Sequence, residues 1–487
     1  MDEMVTSGVR SEEEVEDSSA RGHPRDNELE WDWATLTGHD DRFPLSVELE
    51  WDWASLTDGE KRLGVRASLK AIFAWRNYSI YLGTAWVFNA LSAVYGYFNL
   101  YLYRIGWEFL TIGTVFMITS IVSAVARLLG GYIGDIANRK YLSVFAMFLA
   151  SVFSLIMGWT KEFAFVFIAL VIYALIDLGK GGSTAYIMDN IPRDHSGLAI
   201  SLFTAGSSFG IITLFVFHGL IAELGFVEGL RLMFFVAGCL LMVSTAVRAI
   251  YLEGGEQERR MNDKPLWRDF FSENKRAARM IMAMMPGVLG IVMLDAISDA
   301  LFRFGALIYT NEFLNVDFAG INVIVLVSLI IVVPLQLKVG RMSDRKGMKR
   351  TAIAVYAVMP ICAFLLLIAQ QFPYWAPQEF MDAADLIFPG LGVIFTTPFI
   401  AIVGKHINDA LWYLVLLTLI QKNMPRTDTA KILGVFWFIV FTFTTFGPFL
   451  GGLIFTFLEP ASLFGLVLVT NILILGGITR FGFENGN

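Results

Sequence analysis

The sequence predicts an all-α membrane protein of twelve transmembrane helices in two pseudo-symmetric six-helix bundles. Three observations carry that expectation. Of the 487 residues, 56% are apolar, 14% aromatic and only 17% charged, too few charges to cover a chain of this size in water. Apolar runs recur at about 20 residues, long enough to cross a bilayer as a helix, whereas barrel strands alternate over about ten. Lipid offers no partner for backbone N–H and C=O groups, so such runs must be helical. The third observation is an internal repeat, described below.

Residues 1–70 come first and are unlike the rest. Before residue 60 the only Arg or Lys residues are Arg10, Arg21, Arg25 and Arg42, set among many acids. Low hydrophobicity with high charge predicts a disordered cytoplasmic tail, and nothing in it has the form of a cleavable signal. Glu28-Leu-Glu-Trp31-Asp-Trp33-Ala returns as Glu48-Leu-Glu-Trp51-Asp-Trp53-Ala. Two such copies suit bivalent docking of a cytosolic protein or contact with the membrane surface. A duplication in an unconstrained tail accounts for them equally simply.

Twelve spans follow. The N-terminal bundle, 71–252, holds spans near 78–103, 109–134, 140–160, 163–188, 196–222 and 229–252. A polar cytoplasmic linker occupies 253–280. The C-terminal bundle, 281–487, holds spans near 281–310, 318–338, 351–371, 396–421, 431–457 and 461–481. Between spans 9 and 10, the segment 371–395 contains Pro373, Trp375, Glu379, Asp382 and Asp385 and reads as an outer loop with a short amphipathic piece. Cys239 and Cys362 fall inside spans 6 and 9 and are read as core packing.

Basic residues fix the expected orientation. Loops on one side carry Arg76, Arg193, Arg268, Lys275, Arg276, Arg279, Lys422, Arg426 and many more, while the opposite loops carry only Arg104, Lys161 and Arg231. The positive-inside rule then places both termini and the linker in the cytoplasm of a multi-pass plasma-membrane protein.

The halves repeat each other. Asn89-Ala-Leu-Ser in span 1 answers Asp295-Ala-Ile-Ser in span 7, and Asn190-Ile-Pro-Arg193 answers Asn423-Met-Pro-Arg426. Gly340-Arg-Met-Ser-Asp344-Arg345-Lys-Gly347-Met-Lys349-Arg350 follows span 8. Its weaker twin after span 2 is Gly131-Tyr-Ile-Gly-Asp135-Ile-Ala-Asn-Arg139-Lys140, with Ile136 and Asn138 in place of Arg and Gly. The offset between copies grows from about 209 to about 233 residues, so the segment 371–395 accounts for an insertion of about 24.

These paired loops resemble the signature of the major facilitator superfamily of secondary transporters, and the resemblance covers roughly 75–485. It implies two six-helix halves with a midplane solute site, lined by spans 1, 4, 7 and 10. It also implies that Asp135 and Asp344, with the neighbouring Arg139, Lys140, Arg345, Lys349 and Arg350 and the turns at Gly131, Gly340 and Gly347, latch the cytoplasmic ends of the halves in one state. Drug–proton antiporters of the family have an Arg in span 4, where this chain has Asp177, and G-P-x-x-G-G in span 5. Here that element is Gly447-Pro448-Phe-Leu-Gly451-Gly452 in span 11.

Charge at membrane depth costs several kcal/mol unless it faces a cavity or a partner. Arg127 and Arg248, near the cytoplasmic ends of spans 2 and 6, are expected to snorkel to water. The others, Asp177, Lys180, Asp295, Asp299, Arg303, Lys405 and Asp409 with His406 alongside, lie on spans 4, 7 and 10. With Asn89, they are the expected solute or proton pathway, while Trp86, Tyr95, Trp412 and Tyr413 supply aromatic lining. The bland reading is a set of neutralised pairs, Asp177–Lys180 and Asp299–Arg303, locking helices together. Asp with His406 has no metal-ligand spacing, and no phosphate loop of the kind that binds ATP is present.

The expected protein is therefore a monomeric secondary active transporter of a small solute, coupled to protons and leaning toward efflux, with no cofactor, enzyme activity or nucleic-acid partner. An uptake symporter or facilitator is the alternative within transport. A membrane receptor or scaffold signalling through the acidic tail is the alternative outside it.

Overall fold

The structure is a computed structural model that describes residues 69, 72–136, 139–179, 202–203, 206–253, 266–284, 286–346, 348–423 and 429–480. The chain divides into two units, Met1–Glu50 and Trp51–Asn487, and the first lies wholly outside the described residues. The tandem Trp motif therefore also lies outside them.

Seven helices among the described residues are long and apolar enough to cross a bilayer unaided. They correspond to spans 2, 3, 6, 9, 10, 11 and 12. Of the other five, spans 1, 4 and 5 are built from shorter or interrupted helices, while spans 7 and 8 are continuous helices of 27 and 29 residues. Span 1 runs as Arg76–Leu91, a 3-10 stretch Ser92–Tyr97 and Phe98–Arg104. Span 4 is Phe163–Gly179 with a turn at Ile176, span 5 is completed by Gly210–Leu224, span 7 is Pro286–Glu312 and span 8 is Phe318–Lys346. All twelve expected spans thus have a helical counterpart.

Several interruptions have a cause in the sequence. Proline lacks an N–H and its ring collides with the carbonyl four residues earlier. Span 9 breaks between Met348–Tyr356 and Val358–Ile368, with Pro360 four residues past Tyr356. Span 11 breaks between Thr429–Thr444 and Phe446–Phe457, with Pro448 four residues past Thr444. Pro286 takes the first helical position of span 7, where a missing N–H costs nothing. The expected polar linker contains a helix, Leu266–Met284, that runs up to that proline.

Within the N-terminal half, span 6 packs along span 3 and against spans 1 and 5, while span 4 packs on spans 2 and 3. In the C-terminal half, span 12 packs on spans 7 and 9, and span 10 on spans 8 and 9. The halves meet through span 2 on span 11, span 5 on span 8, and span 1 on span 7. Span 11 is the fifth helix of its half and span 8 the second, so the contact obeys the same two-fold relation as the sequence repeat. At span 2 on span 11 the backbones nearly touch. A side chain at Gly452 would fall 2.7 Å from the carbonyl oxygen of Phe109, which explains the small residues at this crossing.

The end of this interface where span 1 finishes is also held by hydrogen bonds. Asn99 of span 1 donates to the carbonyls of Arg303 and Phe304, at 3.1 and 3.3 Å. Tyr97 donates to Asn322 of span 8 at 2.6 Å, and Asn322 donates to the carbonyl of Leu214 in span 5 at 3.0 Å. At the mouth, Arg104 bonds Asn311 and forms an ion pair with Glu312.

The segment 371–395 carries the expected amphipathic helix, Gln378–Ile387, followed by a 3-10 turn Leu391–Phe395. Its ends are pinned together by a bridge between Tyr374 and Thr396. It then reaches across to the other half, where the Phe388 ring stacks on His218 of span 5 at 4.3 Å. Gly390 makes the turn that allows this, with φ of 77° and no room for a side chain, since a β-carbon there would fall 2.4 Å from the Ala319 carbonyl carbon.

Two packing expectations are corrected. Cys362 is buried but Cys239 is exposed on span 6, on a face that also exposes Leu240 and Val243 and so meets lipid. Arg248 does not snorkel. It is 4% exposed and donates to Thr84 at 2.7 Å and Ser143 at 2.6 Å, with its guanidinium over the Tyr81 ring. Two hydroxyls and an aromatic face inside the N-terminal half satisfy the cation more fully than a reach to water would.

Candidate functional site

Two polar centres form, one in each half. In the C-terminal half, Asp299 and Arg303 lie one turn apart on span 7, and Lys405 and Asp409 lie one turn apart on span 10. Residues four apart share a helix face, so the spans present one acid and one base each to the other. The four close into a network. Lys405 Nζ contacts Asp299 Oδ1 at 2.5 Å and also pairs with Asp409. Arg303 reaches Asp299 at 3.0 Å through Nε and Asp409 at 3.3 Å through Nη2. Two acids and two bases cancel, as burial in lipid demands.

The members differ in access. The Lys405 side chain is 1% exposed, whereas that of Arg303 is 63% exposed. Arg303 sits midway along a membrane helix whose backbone here accepts a bond from Asn99 of the opposite half. Its guanidinium is therefore the accessible member of the network, on the part of span 7 that touches the opposite half. Lys405 closes the network from behind, over the face of Phe302 at 5.3 Å. Next to Asp409, Asn408 is 2% exposed and its Oδ1 has no partner among the described residues.

The expected stripe on span 7 splits. Asp295 points into the C-terminal half, where Tyr356 donates to one oxygen at 2.7 Å and Trp412 to the other at 2.8 Å. Both donors are neutral, and among the described residues Asp295 has no ion pair. Tyr356 also bonds Asn471 Oδ1 of span 12 at 3.0 Å, which accepts from Ser298 at 2.9 Å as well. His406 faces span 8 instead, with Nδ1 3.1 Å from Ser328 Oγ.

In the N-terminal half, Asp177 of span 4 is 5% exposed. Ser123 of span 2 donates to Oδ2, and Arg127 Nη2 lies 3.4 Å from Oδ1. Arg127 also lies over the ring of Phe441, 4.0 Å away in span 11. This corrects the snorkelling expectation for Arg127, whose charge is met inside the bundle by an acid and an aromatic face. Lys180, the expected partner of Asp177, lies outside the described residues.

The remaining expected residues divide. Trp412 joins Asp295, while Tyr413 is 50% exposed and Trp86 donates to the carbonyl of Leu202 at 2.8 Å. Tyr95 stacks among Phe98, Phe153, Tyr173 and Phe234 and bonds Ser154, a core role for an expected lining residue. Asn89 is half-buried in span 1, with Ser92 bonded to its carbonyl. In the paired signature loops, the side chains of Asp135, Arg139, Asp344 and Arg345 and the surroundings of Gly131 and Gly340 lie outside the described residues, as does Gly347. Lys140 and Lys349 are half-buried and Arg350 is exposed.

Ser123, Ser298, Tyr356 and Asn471 escaped the sequence reading because it started from charges and looked on spans 1, 4, 7 and 10 for the rest. A polar residue in an otherwise apolar run, as Asn471 is in span 12, was the available signal.

Two matched helical halves with opposed charges at depth define the architecture of a secondary transporter. The chain belongs to the Major Facilitator Superfamily, whose sequence profile matches residues 180–440, more than half its length. Its fold is similar to that of a D-xylose–proton symporter, with a TM-score of 0.61 at 14% identity over 84% of this chain and 98% of that one. The nucleoside transporter NupG gives 0.59 at 13% identity over 82% of this chain and 98% of its own. A POT family transporter solved with 5-aminolevulinic acid gives 0.62 at 9% identity, over 83% and 94% respectively. No curated protein matches the sequence at a significant level.

Proposed function

We propose that this transporter moves a small solute in exchange or in company with protons, through the network of Asp299, Arg303, Lys405 and Asp409. One observation carries the reading: a single buried ammonium is shared by two carboxylates. A proton arriving on Asp409 leaves Lys405 paired with Asp299, so charge changes without stranding an ion in the bilayer. Arg303, freed from Asp409 in that state, is positioned to meet a polar or anionic group of the solute entering between the halves. Asp177 with Arg127 forms the opposing wall.

The same proposal places both termini and the linker in the cytoplasm of the plasma membrane, on the strength of the asymmetric basic loops. The paired loops around Asp135 and Asp344 serve as the inner latch, the protein works as a monomer, and the acidic tail with its Trp motif is a docking segment for a cytosolic protein.

Solutes are first selected by thermal stabilisation of the purified protein and then offered to proteoliposomes under an imposed pH gradient. The wild type should accumulate solute, and reversing the gradient reads the direction. Asp409→Asn should bind and exchange solute but lose gradient-driven accumulation. Wild-type accumulation in that variant removes the proton role, and no accumulation of any stabilising solute removes the coupling.

A further inference from the structure

The linker helix Leu266–Met284 has no place in the transport reading, yet its sequence is strongly two-sided. Phe270, Ala277 and Ile281 are buried, and the helix packs on span 11, where Ala277 and Ile281 share a core with Val435 and Phe436. That accounts for one face. Phe271, Lys275, Ala278 and Met282 follow i, i+4, i+7 and i+11 and so line a second face. On it Phe271 is 65% and Met282 52% exposed, while Arg276 and Arg279 stand exposed along one edge with Lys275.

A water-facing helix rarely leaves two large apolar side chains uncovered beside three cations. The direction of the helix supplies the reason. It bends by 103° into span 7. A helix at nearly a right angle to one that crosses the bilayer runs along the bilayer plane, here at the end where span 7 begins. Apolar residues in a strip with bases beside them are what such a position selects: the strip enters the acyl boundary and the bases stay at headgroup depth.

We propose that this face is a lipid-contact surface that binds anionic phospholipid headgroups through Lys275, Arg276 and Arg279 and is seated by Phe271 and Met282. That the leaflet concerned is the cytoplasmic one rests on the orientation proposed above. Cytoplasmic leaflets carry the negative surface potential these bases match. Because the helix also grips span 11 and feeds span 7, lipid binding fixes the position of the helix that bears Asp299 and Arg303.

The test uses the full chain in nanodiscs carrying the same lipids in both leaflets, so that it reads lipid contact whichever way the protein faces. Native mass spectrometry should retain phosphatidylglycerol in preference to phosphatidylcholine. Lys275→Gln, Arg276→Gln and Arg279→Gln together should lower that preference by about fivefold or more, the loss expected when even one such contact disappears. Spin labels at Phe271→Cys and Met282→Cys, with exposed Cys239→Ser, should collide with membrane-dissolved oxygen more than with an aqueous nickel reagent. An undiminished preference in the triple variant, or labels reached mainly from water, overturns the proposal. The second outcome leaves the face to a protein partner. A change of sidedness alone alters neither readout, so failure of the orientation is distinguishable.

Discussion

Asp177 and Asp409 fall at nearly matching positions of the two halves, yet their surroundings differ. Asp177 is met by one hydroxyl and one guanidinium, and that guanidinium is also held over Phe441 of the other half. Asp409 shares two cations with Asp299, one sealed and one accessible. In the second, a proton or an anion can replace a single pair while the others remain. On the proposed function, a repeat that keeps an acid in both halves while changing its partners separates fixing from switching, with switching in the C-terminal half.

Three substitutions test that division, from the largest effect to the smallest. Lys405→Met leaves two carboxylates facing each other in a buried site. Breaking a buried ionic cluster in this way costs about 3–5 kcal/mol, so thermal unfolding in detergent should fall markedly and solute exchange should vanish. Preserved exchange would dismiss the network as scaffolding. Asp177→Asn keeps the Ser123 bond and removes the charge that faces Arg127, a loss of about 1.5–3 kcal/mol, in the range of a charged hydrogen bond. Gradient-driven accumulation should persist at a reduced rate, and its complete loss would erase the contrast between halves. Arg104→Gln at the outer mouth removes a partly exposed ion pair worth about 1 kcal/mol or less. It should shift the resting population outward by a few-fold, read as faster labelling of a cysteine placed at Asn99. Unchanged labelling would mean that the Tyr97 bond alone suffices to keep the mouth closed.

Much of the fold was legible because lipid makes a harsh solvent. Composition gave the class and run length gave the spans, whereas the breaks that follow from Pro360 and Pro448 in spans 9 and 11 were not read from the sequence. The repeat gave the two-fold relation that the contacts of span 2 with span 11 and span 5 with span 8 display. Within the polar centres, the i, i+4 spacing of Asp299–Arg303 and Lys405–Asp409 was visible. Their union was not, since sequence spacing says nothing about which faces of spans 7 and 10 oppose each other. The same gap misassigned Arg127, whose distance from a span end suggested water when an acid was closer in space. It also hid the turn of Asp295 toward Tyr356 and Trp412, because its i+4 neighbour Asp299 shares its stripe in one dimension but not its neighbours in three.

The Phe388–His218 stack joins a loop of one half to a helix of the other, at the end where Asn99, Tyr97 and Arg104 also bridge them. Among the described residues, only the C-terminal half contributes such a strap, so parting these ends is asymmetric. Either the aromatic stack slips, or the loop swings with span 5 and drags on its anchor at Tyr374 and Thr396. In both cases a tether of about 24 residues without counterpart in the N-terminal half limits how far these ends can separate.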